Sequence, residues 1–562
     1  MQRVILACSA LVASACAPAP DKTAVTTPAP MPAPAPAASP APRLVVLVVV
    51  DQLASWWLED RRAHFSGGMA RLVREGVYYP AAEYPYAVTF TAAGHAALAT
   101  GAPPAVMGVA DNERYHPDRD LELPAVDDPA SPVFVLAGDP GQTKLPGRSS
   151  AALLVDGVAD VLERETGGRA HTVTISLKDR SAIFMGGRQP DLAIWYDDSQ
   201  AAMVTSRRYV AEPPDWLRAL ARQRQVARHL DHAWTLLPGL DHAAITGRGD
   251  DEPGDLVHAD GLGVRFPHEL LRVKNPARHV GATPAGDLLV FETARAALDA
   301  LPLGADDVPD LLALSFSAHD IVGHYWGPDS WERLDIMVRF DRELDRLLTE
   351  LDQRLGAGGY AVVLSSDHGI APLVEVTRER GVDAHRVLRR EIKAVAEGAV
   401  DALLGPGRED WIAYVTDNSV FIGAALDRHP RRGQALDAVV ERITALPGIQ
   451  YAGQTERLRG DCEARQGIER LDCFSVVPTD PGHVYFAAAP GSITTRHPEG
   501  TNHGSPNPDD RMVPVLVRAP GDPRWATPRV AREPVTILQV APTLAALLGI
   551  SAPPAATAPP LP

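Results

Sequence analysis

Seven consecutive aliphatic residues, Leu44-Val45-Val46-Leu47-Val48-Val49-Val50, run without a polar interruption and stop on Asp51. A strand with one wet face alternates apolar and polar side chains. An unbroken β-branched run instead predicts a strand covered on both faces, as in a parallel sheet flanked by helices. The pattern recurs: Leu311 to Phe316 precedes Asp320, Tyr360 to Leu364 precedes Asp367 and His368, and Val513 to Val517 follows His503. Between these runs, Asp287 to Leu301 and Trp331 to Leu355 space apolar residues by three and four, which predicts helices. Strands alternating with helices give an α/β fold, with a mostly parallel central sheet sandwiched by helices. Ligands of such sheets bind beyond the carboxyl ends of the strands. Three of the runs end there in Asp or His.

The limits of this domain follow from composition. Met1-Gln2-Arg3 followed by the apolar stretch Val4 to Ala15 predicts an export signal over residues 1–16, too short to span a bilayer. Cys16 directly after Ala13-Ser14-Ala15 fits a lipoprotein-type signal and anchoring through lipidated Cys16; the alternative is ordinary signal cleavage. Residues 17–42 hold nine Pro and nine Ala, a composition that forms an extended linker and no core. The catalytic domain is expected over 43–550, with cap insertions at about 185–285 and 375–490 and a Pro/Ala-rich tail at 551–562. Either site of cleavage places the protein in the periplasm or cell envelope. Cys462 and Cys473 would there pair as a disulfide, or else remain free thiols. The net charge of −17 argues against a nucleic-acid partner, which requires clustered positive charge.

The candidate chemistry gathers at the run ends. Asp320 and His324 are four apart and share a face if the segment is helical. Asp367-His368-Gly369 suits a sharp turn after a strand, and Asn502-His503-Gly504 repeats the His-Gly pair. With Asp51 these form a mixed oxygen and nitrogen set suited to zinc. Each residue alone is more simply a turn or cap residue; it is the convergence of six that points to metal.

Seven motifs occur in order: Val50-Asp51-Gln52, Thr89-Phe90-Thr91-Ala92-Ala93-Gly94-His95, Asp111-Asn112, Ser176-Leu177-Lys178-Asp179-Arg180, the segment Ser317 to His324 that contains His319-Asp320, Ser366-Asp367-His368-Gly369 and Thr501-Asn502-His503-Gly504. In this order and spacing the chain, from Leu44 to about Ile550, resembles the alkaline phosphatase superfamily. Within it the resemblance is to bacterial threonine-nucleophile alkaline phosphatases, relatives of the type I phosphodiesterase/nucleotide pyrophosphatases. The resemblance implies two Zn2+ ions, one held by Asp320, His324 and His503. Asp51, Asp367, His368 and the Thr91 oxygen would hold the other. Such a pair serves both the attacking and the leaving oxygen of an in-line displacement.

Thr91 is the expected nucleophile, with Thr89 its competitor. Thr91 lies 40 residues after Asp51 and 21 before Asn112, and it opens a predicted helix whose N-terminus favours phosphate. His95, one turn on, is expected to pack or hydrogen-bond inside that helix. Asn112, Lys178 and Arg180 are expected to bind phosphoryl oxygens. Lys178 and Arg180 are read as alternating along a strand end, so that both point one way; the plain alternative is an exposed charged strand. In the family a Lys and Arg at this place mark monoesterases, so the expected substrates are small phosphate monoesters and the expected enzyme is an alkaline phosphatase. A phosphodiesterase on the same scaffold is the nearest alternative. A non-catalytic metal-binding surface lipoprotein is the alternative of another class. No Cys-x-Pro-x-Arg segment supports a sulfatase, and an export signal argues against a glycolytic mutase.

Overall fold

The computed structural model describes residues 41–117, 119–137, 145–256, 261–479 and 482–562. The signal segment 1–16, Cys16 and nearly all of the 17–42 linker lie outside the described residues. The central sheet is built from β1 (Leu44–Val50), β2 (Val77–Glu83), β3 (Thr172–Ser176), β4 (Leu192–Asp197), β5 (Ala202–Val204), β6 (Asp310–Phe316), β7 (Tyr360–Ser365), β8 (Met512–Arg518), β9 (Arg529–Val530) and β10 (Val535–Thr536). Its order is β9-β2-β8-β7-β1-β6-β3-β4-β5, with β10 also paired to β2.

The run that opened the sequence analysis is the middle of this sheet. Leu44, Val46, Val48 and Val50 enter the apolar core on one face. Val45, Leu47 and Val49 enter the core on the other. Burying each such side chain contributes roughly 1.5–3 kcal/mol before entropy is counted, so a polar substitution anywhere in the run is penalised on one face or the other. The first face is covered by helices at 284–300 and 331–355, the second by helices at 91–100, 179–185 and 540–548.

Register decides where the site falls. β1 pairs in parallel with both β6 and β7, with Val49 opposite Ser315 and Ser365. Asp51 therefore leaves the sheet level with Ser317 and Asp367. β8 runs antiparallel to β7, so its first residues lie where β7 ends. That reversal brings the segment before β8, including His503, to the same edge as the carboxyl ends of the parallel strands.

The structure corrects the reading of 185–285 as a cap. β4 and β5 belong to the central sheet, and Leu217, Leu220, Val226, Trp234 and Leu270 are buried in its first core. Short elements broken by Pro and Gly hid this periodicity. Within 375–490 there is a separate four-stranded sheet, ordered Ile412–Val415, Ser419–Ile422, Val484–Ala488, Ile449–Gln454. Helices Arg389–Leu404 and Arg432–Thr444 share a third core with it. Cys462 and Cys473 form a disulfide. In the tail, Leu561 is buried in the second-face core and its N–H donates to Thr543 Oγ1. Among the described residues, no helix is long and apolar enough to cross a membrane.

Candidate active site

Five helices frame the site: α1 (Thr91–Thr100), α2 (Asp179–Met185), α3 (Pro284–Ala300), α4 (Ala318–Trp326) and α5 (Trp331–Leu355). Asp51 ends β1, Asp320 and His324 sit one turn apart on α4 after β6, and Asp367-His368 follow β7. Asp51, Asp320, Asp367, His368 and His503 are all buried. Two groups of ligand atoms result, Asp320-His368-His503 and Asp51-Asp367-His368, each with its atoms within 4.8 Å of one another. His324 Nε2 joins the first at 3.3 Å from Asp320 Oδ1, and His368 Nε2 stands 3.5 Å from Asp51 Oδ1 and 3.3 Å from Asp367 Oδ2.

The imidazoles are oriented from behind. Nδ1 of His324, His368 and His503 contacts the carbonyl oxygens of Thr501, Gly369 and Thr89 at 2.9, 2.9 and 2.7 Å. With Nδ1 as donor, each Nε2 is left an acceptor aimed inward, the arrangement of metal-ligating histidines. Among the described residues, Asp51 Oδ1 and Asp367 Oδ2 are buried without a well-formed hydrogen bond; their neighbours are imidazole nitrogens, His368 at 3.5 Å from the first and His95 at 3.2 Å from the second. Orphaned anionic oxygens in a dry site are costly unless a cation meets them. The residues fit metal binding.

Thr91 is the first residue of α1, after Phe90 in an extended conformation. Its Oγ1 lies 3.4 Å from His368 Nε2 and 3.4 Å from Lys178 Nζ. Thr89 Oγ1 is instead engaged with the Ser505 carbonyl. The helix can approach so closely because residue 94 is glycine: a Cβ there would stand 2.1 Å from the Asp367 carbonyl oxygen. Asn112 Oδ1 accepts from the Ala92 N–H at 3.0 Å, capping this end of α1. His95 is fully buried, with Nδ1 at the Thr91 carbonyl and Nε2 at Ser315 Oγ.

Lys178 and Arg180 do not alternate along a strand, which corrects the sequence reading. β3 stops at Ser176; Lys178 caps α2 and Arg180 lies in its first turn. Asp179 between them, an acidic residue favourable in a first helical turn, is the signal for this start. Lys178 still reaches the site, its Nζ 2.7 Å from Asp51 Oδ2 and 2.5 Å from Asp320 Oδ2. Among the described residues, Arg180 Nε is buried without a hydrogen bond.

Charge is balanced locally. Burial, with the neighbouring Asp320 and Asp367 carboxylates, pushes Asp51 well above the usual carboxylate range. Burial would raise Asp320 too, but Lys178 and His324 overcome it and hold that group well below the range. Asp367 is likewise held low against burial, by His368 and His95. Burial and the adjacent His368 and His324 rings depress His503 far below an ordinary histidine, so it stands as a neutral ligand.

Sequence reasoning missed two contributors. Gln52 donates to Asp320 and Asp367, although only its neighbour Asp51 carried a metal-ligand pattern. Asp417, in the 375–490 region, accepts from Asn502 Nδ2 at 3.1 Å beside His503. A lone Asp 85 residues upstream offers no local signal.

With this geometry in place, the chain belongs to the type I phosphodiesterase / nucleotide pyrophosphatase family, which it matches over residues 45–459. It is thereby a member of the alkaline phosphatase superfamily. It is 28% identical to the alkaline phosphatase PhoV of Synechococcus elongatus over 517 residues, covering 91% of this chain and 90% of that one. It is 27% identical over 541 residues to the alkaline phosphatase PafA of Elizabethkingia meningoseptica, covering 92% and 94%. The crystal structure of wild-type PafA superposes with a TM-score of 0.84 at 25% identity, covering 93% of this chain and 98% of that one. A PafA variant substituted at one Thr, one Asn, one Lys and one Arg superposes with a TM-score of 0.83.

Proposed function

We propose that this protein is an exported two-zinc alkaline phosphatase that hydrolyses phosphate monoesters through a phosphothreonine at Thr91. The observation that carries the reading is Thr91 Oγ1 at a helix N-terminus, 3.4 Å from both Lys178 and His368, beside two orphaned carboxylate oxygens. Alkaline phosphatase relatives that align over nine-tenths of the chain support it. The four residue types substituted in the PafA variant match Thr91, Asn112, Lys178 and Arg180. Thr-to-Asn and Lys-to-Arg spacings of 21 and 2 are shared by the two chains.

Asp320, His324 and His503 would hold one zinc, and Asp51, Asp367, His368 and Thr91 the other. When bound, the pair supplies positive charge that makes a hydroxyl nucleophilic at neutral pH and offsets charge on the leaving oxygen. The chain's own residues do the rest. The α1 N-terminus and the Asn112 carboxamide NH2 donate to phosphoryl oxygens, while Lys178 and Arg180 balance the second charge that distinguishes a monoester from a diester. Thr91 Oγ gives up its hydroxyl proton and forms the new bond to phosphorus as the P–O bond to the leaving group breaks, and the departing oxygen takes a proton from solvent. Water then attacks phosphorus, releasing phosphate and restoring Thr91.

Two measurements test this. Acid-quenched protein digested and mapped by mass spectrometry should carry phosphate on Thr91, and label elsewhere or nowhere refutes the intermediate. kcat/KM for an aryl phosphate should exceed that for the corresponding diester; the reverse order makes the protein a phosphodiesterase. The lipoprotein-type signal and the Cys462–Cys473 disulfide support an envelope location with a tether through Cys16. Cys16→Ser should move the protein from the membrane to the soluble fraction.

A further inference from the structure

The turn after β1 contains a device that the proposed reaction does not use. Gln52 adopts φ +69°, a left-handed conformation that costs a side-chain-bearing residue about 1–3 kcal/mol unless its surroundings impose it. Here four hydrogen bonds impose it. The Gln52 N–H donates to Asp367 Oδ1 at 3.1 Å, and Nε2 donates to Asp320 Oδ1 at 2.7 Å. From the other side, Arg333 in the first turn of α5 donates Nη1 to Gln52 Oε1 and Nη2 to the Gln52 carbonyl at 2.6 Å. Both residues are wholly buried, and the Arg333 guanidinium lies 5.4 Å from the Trp57 ring centroid.

The two acceptors belong to different halves of the site. Engaging Asp367 through Oδ1 leaves Oδ2 turned toward the His95 and His368 imidazoles, at 3.2 and 3.3 Å. Engaging Asp320 through Oδ1, while Lys178 takes Oδ2, removes the free rotation of that carboxylate too. A glycine in the Asp320-to-His324 motif is explained by the same contact. A Cβ at Gly323 would stand 2.0 Å from Gln52 Oε1 and 2.1 Å from Arg333 Nη1.

We propose that Gln52, clamped by Arg333 and given room by Gly323, is a positioning residue that holds Asp320 and Asp367 in one mutual orientation and thereby sets how tightly both metal positions are held. This rests on the metal-centre reading above. Partners that orient metal ligands are worth about 10–100-fold in metal affinity when removed.

The test is zinc retention by the holoprotein. Wild type, Gln52→Leu, Gly323→Ala and a core control, Leu347→Ala, are dialysed against graded chelator and their zinc is counted by mass spectrometry. Thermal melts show which variants are merely less stable. The chelator concentration that removes half the zinc should fall tenfold or more for Gln52→Leu and for Gly323→Ala. It should stay at the wild-type value for Leu347→Ala, whose side chain is buried far along α5. With zinc in excess, kcat of the two clamp variants should recover further than their zinc retention does. Wild-type retention in both clamp variants, or an equal loss in the control, overturns the inference while leaving the metal centre standing. A wild type that holds no zinc overturns both. If Gln52→Leu does not fold, Gly323→Ala decides alone, since alanine suits the interior of α4.

Discussion

The metal face at the sheet edge and the outer sheet of residues 412–488 are built on opposite plans. Asp51, Asp367 and His368 closely follow central strands, Asp320 and His324 lie on the helix after β6, and His503 lies in the segment leading into β8, so connections of a single sheet place all of them. The outer sheet has its own core of residues such as Val439, Ile443 and Phe486; it joins the rest of the domain through apolar packing of Tyr485 and of Tyr414 and Phe421 against Tyr115, and through polar contacts. Asp417 is one, accepting from Asn502 on one side and from Arg389 on the other. Glu122 is another, accepting from Tyr414 and Arg496. Chemistry therefore depends on strand register in one region and on a handful of struts from the other.

The sharpest break in this contrast is Thr91→Ala. Loss of the proposed nucleophile should lower kcat by at least about a thousandfold with zinc content unchanged, read by steady-state kinetics beside metal analysis. Lys178→Ala combined with Arg180→Ala should cost roughly 100- to 1000-fold in kcat/KM for a monoester, as loss of charge-stabilising donors does. A diester should lose under about tenfold, and equal losses would remove these two residues from substrate discrimination. Where the regions meet, Asp417→Ala should cost about tenfold in kcat/KM by loosening the His503 loop, in the range seen for groups that orient metal ligands. An effect as large as that of Thr91→Ala would mean the outer sheet is part of the chemistry after all. The smallest effect is expected from Cys462→Ser with Cys473→Ser. Opening a short loop forfeits about 2–3 kcal/mol on the chain-entropy estimate, visible as a lower Tm, while kcat/KM should change by less than about twofold.

The metal face was the more legible region for a physical reason. A strand buried on both faces must be written as an unbroken apolar run, so Leu44 to Val50, Leu311 to Phe316 and Tyr360 to Leu364 announced themselves, and the polar residue ending each run was conspicuous. β4 and β5 were not recognised, because short strands near a sheet edge carry too few residues to show a period. The Lys178-Asp179-Arg180 segment was misread for the opposite reason: an alternation of three charged residues fits a strand and a helix start equally well. Gln52, Arg333 and Asp417 act through contacts made across 85 to 315 residues of chain, and no local pattern encodes such a pairing.

The reversed direction of β8 has a consequence for assembly. The proposed ligands stretch from residue 51 to residue 503, and the last of them reaches the others only once β8 has turned back along β7. A chain still emerging from its N-terminus can close the parallel middle of the sheet long before it owns a third imidazole. On the proposed metal-centre reading, metal capture would be a late seal on a nearly finished fold rather than a seed for it. A fragment ending before residue 503 should fail to retain the metal pair, however well its sheet is formed.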